Sequence, residues 1–125
     1  GVDEVTEIKL ELPKPPSLNQ FYSGRHYAVR SKYKKTYWEK IQKVLEGFDK
    51  WHMESMSIHV YYNCRYDVDN AICCSKFLAD YLRNNGYIDD DSPRFFTSQS
   101  THYDGTVAKD TFVAKIKAHG YETIK

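Results

Sequence analysis

Hydrophobic and polar positions alternate in two stretches of the chain. In Glu7 to Leu12, the residues Ile8, Leu10 and Leu12 share one face; in Met56 to Cys64, so do Met56, Ile58, Val60, Tyr62 and Cys64. A period of two places successive side chains on opposite sides of a strand, so both stretches are predicted as half-buried strands. "PKPPSLN" ends the first, since proline supplies no ladder donor. The segment "QFYSGRHYAVRSKYKK" reads as a polar, basic loop dotted with tyrosine. Apolar residues then recur at helical spacing: Tyr37, Trp38, Ile41, Val44, Leu45 and Phe48 predict a helix from near Ser31 towards Phe48. A second helix follows the second strand. Asp69 or Asn70 is placed to cap it, it runs to about Asn85, and Gly86 suits its C′ position. Phe95–Tyr103 and Thr106–Ala118 read as two strands of a hairpin around "YDG". This order predicts an α+β domain with a small mixed β-sheet of about four strands and two main helices.

Composition narrows the class without naming a function. The length of 125 residues fits one domain over residues 1–125, and 41% hydrophobic with 28% charged residues is an ordinary globular balance. The net charge of +1 gives no strong overall field, so any nucleic-acid contact must rest on a local basic patch. Three cysteines, Cys64, Cys73 and Cys74, form no CxxC pair, which predicts free thiols in a reducing compartment. No apolar run reaches membrane-spanning length and no signal peptide is visible, so a cytoplasmic protein is expected.

Acidic residues flank the second predicted helix. Asp67 and Asp69 stand at i, i+2 where the strand ends, and Asp89, Asp90 and Asp91 stand in a row after the helix. These carboxylates either cap and solvate the helix or meet in space to hold a metal. Extended backbone up to Asp69 would put Asp67 and Asp69 on the same side. Like charges that close repel, and a hard divalent cation removes the penalty. A helix of about 15 residues spans roughly 22 Å, so the triple aspartate joins such a site only if its loop folds back. An EF-hand does not fit, because "DVDNAICCSKFL" lacks Gly at position six and Glu at position twelve.

Two separated motifs resemble one family, the RusA-type Holliday junction resolvases. "LPKPPSLNQFY" (Leu12 to Tyr22) looks like that family's opening "LPxPPSxNxYY". "DVDN" (Asp67 to Asn70), "DYL" (Asp80 to Leu82) and "GYIDDDS" (Gly86 to Ser92) look like its "DxDN…K…DAL…GxIxDDS". The resemblance spans roughly residues 8 to 118. It implies a homodimeric, magnesium-dependent endonuclease, with manganese as a possible substitute, that cuts branched DNA and above all four-way junctions. Such enzymes serve recombination and repair in the cytoplasm of a bacterial or phage-infected cell. By the same resemblance Asp67, Asp69 and Asp91 are the metal-binding and catalytic carboxylates, and Asp90 is a further metal ligand. The family lysine falls three residues after the Asn of DxDN. Here that place holds Cys73, and counting back from "DYL" puts Lys76 in it, as if three residues were inserted after Asn70.

Phosphodiester hydrolysis needs an activated water and a neutralised phosphate charge, which Mg²⁺ supplies and Lys76 would assist. DNA contact is expected from Arg25, His26, Arg30, Lys32, Lys34 and Lys35, interleaved with Tyr22, Tyr27 and Tyr33. Paired nicks require two sites, hence an isologous dimer, with Tyr61, Phe77 and Tyr81 as candidate exposed aromatics near the two-fold axis. Two alternatives stay open: a catalytically silent RusA-like branched-DNA-binding protein, and a metal-stabilised interaction domain.

Overall fold

A computed structural model describes residues 4–23 and 26–124. Arg25, one of the expected DNA contacts, lies outside the described residues. The first strand, β1 (Val5–Pro13), forms where the alternation predicts it and buries Ile8, Leu10 and Leu12. A short helix α1 (Leu18–Ser23) follows, where a loop was expected. Its cause is a capping box: the Gln20 backbone N–H donates to Ser17 Oγ at 3.1 Å, and the Ser17 N–H donates to Gln20 Oε1 at 2.9 Å. Phe21 then anchors α1, meeting the Phe77 ring edge-on at 5.2 Å.

Helix α2 (Tyr27–Leu45) starts and ends earlier than the predicted Ser31–Phe48. Lysine and arginine are good helix formers, so the basic stretch joins the helix rather than preceding it. Beyond Leu45 the chain tightens into a turn, with the Phe48 N–H on the Leu45 carbonyl at 3.0 Å. A two-residue strand β2 (Trp51–His52) leads to β3 (Ser55–Asn63), whose inward face is Met56, Ile58, Val60 and Tyr62. A 3-10 turn (Val68–Asn70) precedes α3 (Cys73–Asn84). Neither Asp69 nor Asn70 caps α3, because this separate turn intervenes and Ile72 takes the capping position. Gly86, at φ 80°, ends the helix as expected. The Tyr87 N–H reaches the Leu82 carbonyl at 2.9 Å and the Gly86 N–H the Arg83 carbonyl at 3.4 Å, the paired bonds of a Schellman turn.

The chain finishes with β4 (Phe96–Tyr103), β5 (Thr111–His119) and β6 (Glu122–Thr123), the last paired with β2. The main sheet is mixed and four-stranded, in the order β1-β5-β3-β4. The domain is therefore α+β, as predicted. The expected β4–β5 hairpin is not formed. β3 lies between them, parallel to β4 and antiparallel to β5. The connection carries Asp104, whose carboxylate accepts from the Thr106 N–H at 2.9 Å, and it crosses the end of β3, where Asp110 N–H binds the Asn63 carbonyl at 2.7 Å. β5 begins only after Asp110 and buries Phe112, Val113 and Ala114 in succession, as an interior strand does.

Helices α2 and α3 pack on one face of the sheet, over Leu10, Ile58, Val60, Phe112 and Ile116. Phe77 and Tyr81, expected at an exposed dimer face, lie instead inside this core, 1% and 8% exposed. Phe77 packs on Phe21 and Tyr37, and Tyr81 on Trp38, because both occupy the inward side of α3. Tyr61 is half-buried on the opposite, open face, stacked on His102 at 4.9 Å.

Candidate metal and nucleic-acid site

The residues of the two motifs meet although some fifty positions separate them. The backbone N–H of Asn19 donates to Asn70 Oδ1 at 3.2 Å. The Tyr66 hydroxyl donates to the Pro15 carbonyl at 2.9 Å, and the Tyr62 hydroxyl to the Tyr66 carbonyl at 2.7 Å. Burial, above all, raises both phenols, so each stays a proton donor. The proline segment is thereby clasped against the turn that carries Asp67 and Asp69.

That turn presents its acids outward. Asp67 has φ −61° and ψ 155°, and its carbonyl accepts from the N–H groups of Asn70 and Ala71 at 2.9 and 3.1 Å. Asp67 and Asp69 are both exposed, and among the described residues neither carboxylate has a hydrogen-bond or ion-pair partner. Two free carboxylates on one turn suit a hard cation, which takes one or two of them and completes its shell with water and phosphate oxygens.

Asp89, Asp90 and Asp91 are elsewhere. Their loop lies at the N-terminal end of β3, fixed by the Met53–Ile88 bridge and by the Met56 N–H on the Phe95 carbonyl at 2.7 Å. Asp67 follows the C-terminal end of that strand. Eight steps of about 3.3 Å set the two ends of β3 roughly 26 Å apart, and the two acidic groups lie at opposite ends of it. The expectation that the loop folds back to Asp67 within one chain is thus not met: α3 runs unbroken, and the Gly86 turn sends the chain to Met53. The loop acids also have local partners. Asp89 meets His52 Nε2 at 2.9 Å, and Asp91 meets Arg83 Nε at 3.6 Å. The Asp91 N–H and the Ser92 hydroxyl hold the Asp90 carboxyl below its usual range. Among the described residues no group of three His, Cys, Asp or Glu side chains can hold a metal.

Lys76 is exposed on the first turn of α3, at the Asp67–Asp69 end of that helix. Burial pushes the neighbouring Cys73 thiol up to about 11, and the Lys76 charge offsets part of that rise. The basic residues of α2 do not form one patch. At 100° per residue, His26, Arg30 and Lys34 fall on one side of the helix, and Lys32 and Lys35 roughly opposite. Lys34 is paired with Asp80 at 3.3 Å and lies 5.1 Å over the Trp38 ring. Arg30 and Lys34 border a cleft with Phe21, Tyr22 and Tyr27. Sequence reasoning passed over Gln20 and Tyr66, which build the clasp; the S-x-x-Q spacing from Ser17 to Gln20 would have revealed the first. No helix among the described residues is long and apolar enough to cross a membrane.

No protein-family model matches the sequence, and no curated protein matches it.

Proposed function

We propose that the chain is a magnesium-dependent endonuclease of branched DNA, of the RusA-like kind, cutting four-way junctions by paired nicks. The observation that carries this reading is the clasp: the two motifs that resemble the family lie against each other through Asn19 and Asn70, beside two unpartnered carboxylates. Asp67 and Asp69 would hold the ion, and Asp91 and Asp90 would come from a second copy, since within one chain they lie at the far end of α3. A magnesium ion held there supplies an activated water and neutralises phosphate charge. Lys76, exposed on the same end of α3, would contact the scissile phosphate. His26, Arg30, Lys32 and Lys35 would bind flanking phosphates.

The test is cleavage of a synthetic four-way junction with Mg²⁺. Asp69→Asn should lose activity by on the order of a hundredfold or more while keeping its melting temperature, since Asn is nearly isosteric. Activity near wild type would overturn the assignment. The distance of Asp91 from Asp67 favours one other reading, a silent branched-DNA binder. Junction binding with no cleavage in either Mg²⁺ or Mn²⁺ identifies it.

A further inference from the structure

A cleft of about 630 Å³ opens between the proline segment and α2. That volume is in the range of small-ligand pockets, about 300–1,000 Å³. One wall is a face of α2: Val29, Lys32, Tyr33, Thr36, Tyr37 and Lys40 stand at i, i+3, i+4, i+7, i+8 and i+11. Lys14, Pro15, Pro16 and Gln20 form the other, and Tyr66 closes one end. Among the described residues no acidic side chain lines it. Of its three lysines, only Lys14 has an ion partner among the described residues, Asp110 at 3.8 Å. Lys32 and Lys40 are exposed, with no carboxylate within 4.0 Å among the described residues.

Two of the three tyrosines in the lining are held by hydrogen bonds. The Tyr37 hydroxyl donates to the Pro13 carbonyl at 2.7 Å, and the Tyr66 hydroxyl to Pro15. Lys14 Nζ sits 5.5 Å from the Tyr66 ring centre. Tyr33 and Val29 stay 37% and 40% exposed, an apolar strip that none of the described residues covers fully. A ligand with an apolar body and a negatively charged edge would complement this lining.

We propose that the cleft binds a nucleotide, its base against Tyr33 and the Pro15–Pro16 wall and its phosphate on Lys32 and Lys40. The source is an unpaired nucleotide of a strand. Tyr66 immediately precedes Asp67, so a strand seated here continues towards the carboxylate turn. That last step rests on the nuclease reading; occupancy of the cleft does not.

The experiment reads binding in EDTA, so a protein that cuts no junction can still pass it. Fluorescein-labelled hexathymidylate is titrated with the full chain at 50 and 200 mM salt, followed by anisotropy. Lys32→Gln with Lys40→Gln should weaken binding about tenfold and lower the salt slope by about 0.7, the single-strand value for one phosphate contact. Tyr33→Ala should weaken it roughly five- to a hundredfold with the slope unchanged, since base stacking is not a salt-sensitive contact. Tyr33→Leu keeps apolar volume without the ring and should weaken it too; circular dichroism checks that each variant is folded. Thymidine monophosphate that displaces the probe as tightly as unlabelled hexathymidylate would show free nucleotide as the ligand, with the same base-and-phosphate chemistry. Absence of binding, variants that bind like wild type, or polyglutamate competing as well as the oligonucleotide would overturn the proposal.

Discussion

Cys73 and Cys74 open α3 side by side, and burial sets their chemistry. Their thiols are raised from 9.0 to about 11 and about 12, mainly by desolvation. Cys64 is only half-buried. A small disulfide reagent at pH 8 should therefore label one thiol per native chain, Cys64, and all three in urea; rapid labelling of Cys73 would show that the start of α3 opens. The same shifts set an alkaline limit. A folded pKa above the unfolded one stabilises the fold fully below pH 9, and that contribution is lost as pH rises towards 11–12. Tyr37, raised by burial and by the adjacent Cys74, acts in the same sense. Urea midpoints should accordingly fall between pH 9 and 11, and Cys74→Ala should flatten that fall. The candidate acids Asp67 and Asp69 were legible as residues, because a strand end followed by i, i+2 carboxylates is a local pattern. The loss of Asn70 as a helix cap was not, because a separate 3-10 turn sets it apart from α3 and its side-chain oxygen accepts from Asn19, distant in sequence.

Elements with their own periodicity were readable, and elements defined by a partner were not. β1, β3 and the Gly86 stop of α3 follow from alternation and one glycine. The β4–β5 hairpin was misread because two adjacent strand patterns do not say that a third strand, β3, fits between them. α1 was hidden inside a basic stretch, although its Ser17–Gln20 spacing marks it. Gly86 gives an element-scale test. At φ 80° an alanine adopts the left-handed conformation at a cost of roughly 1 kcal/mol. Gly86→Ala should lower the urea midpoint accordingly. Gly47→Ala, where φ is not positive and the added methyl meets only the Val44 carbonyl at 3.6 Å, should be near neutral. Equal effects at the two positions would refute the Schellman account.

For the whole molecule, the separation of Asp91 from Asp67 makes a specific demand on assembly. If each site draws Asp67 and Asp69 from one copy and Asp91 from another, Asp69→Asn and Asp91→Asn proteins are each inactive. Mixed after unfolding and refolding together, they form heterodimers in which one site carries both changes and the other carries neither. Such a mixture should regain single nicks but not paired cuts, and light scattering should give about twice the 14.7 kDa chain mass. A mixture as inactive as its parents would return the site to a single chain. Helix length in the sequence showed that Asp91 needs its loop to fold back to reach Asp67; it did not show the path of that loop, which the Met53–Ile88 bridge fixes. The position of β5 between β1 and β3 also governs how the protein comes into being. Both antiparallel ladders of the main sheet need Thr111–His119, so neither exists until those residues have been made. At about 5–20 residues per second the ribosome holds the chain for seconds with Leu10, Ile58 and Phe77 uncovered. A nascent chain stalled before β5 is then expected to be a client for chaperones and proteases.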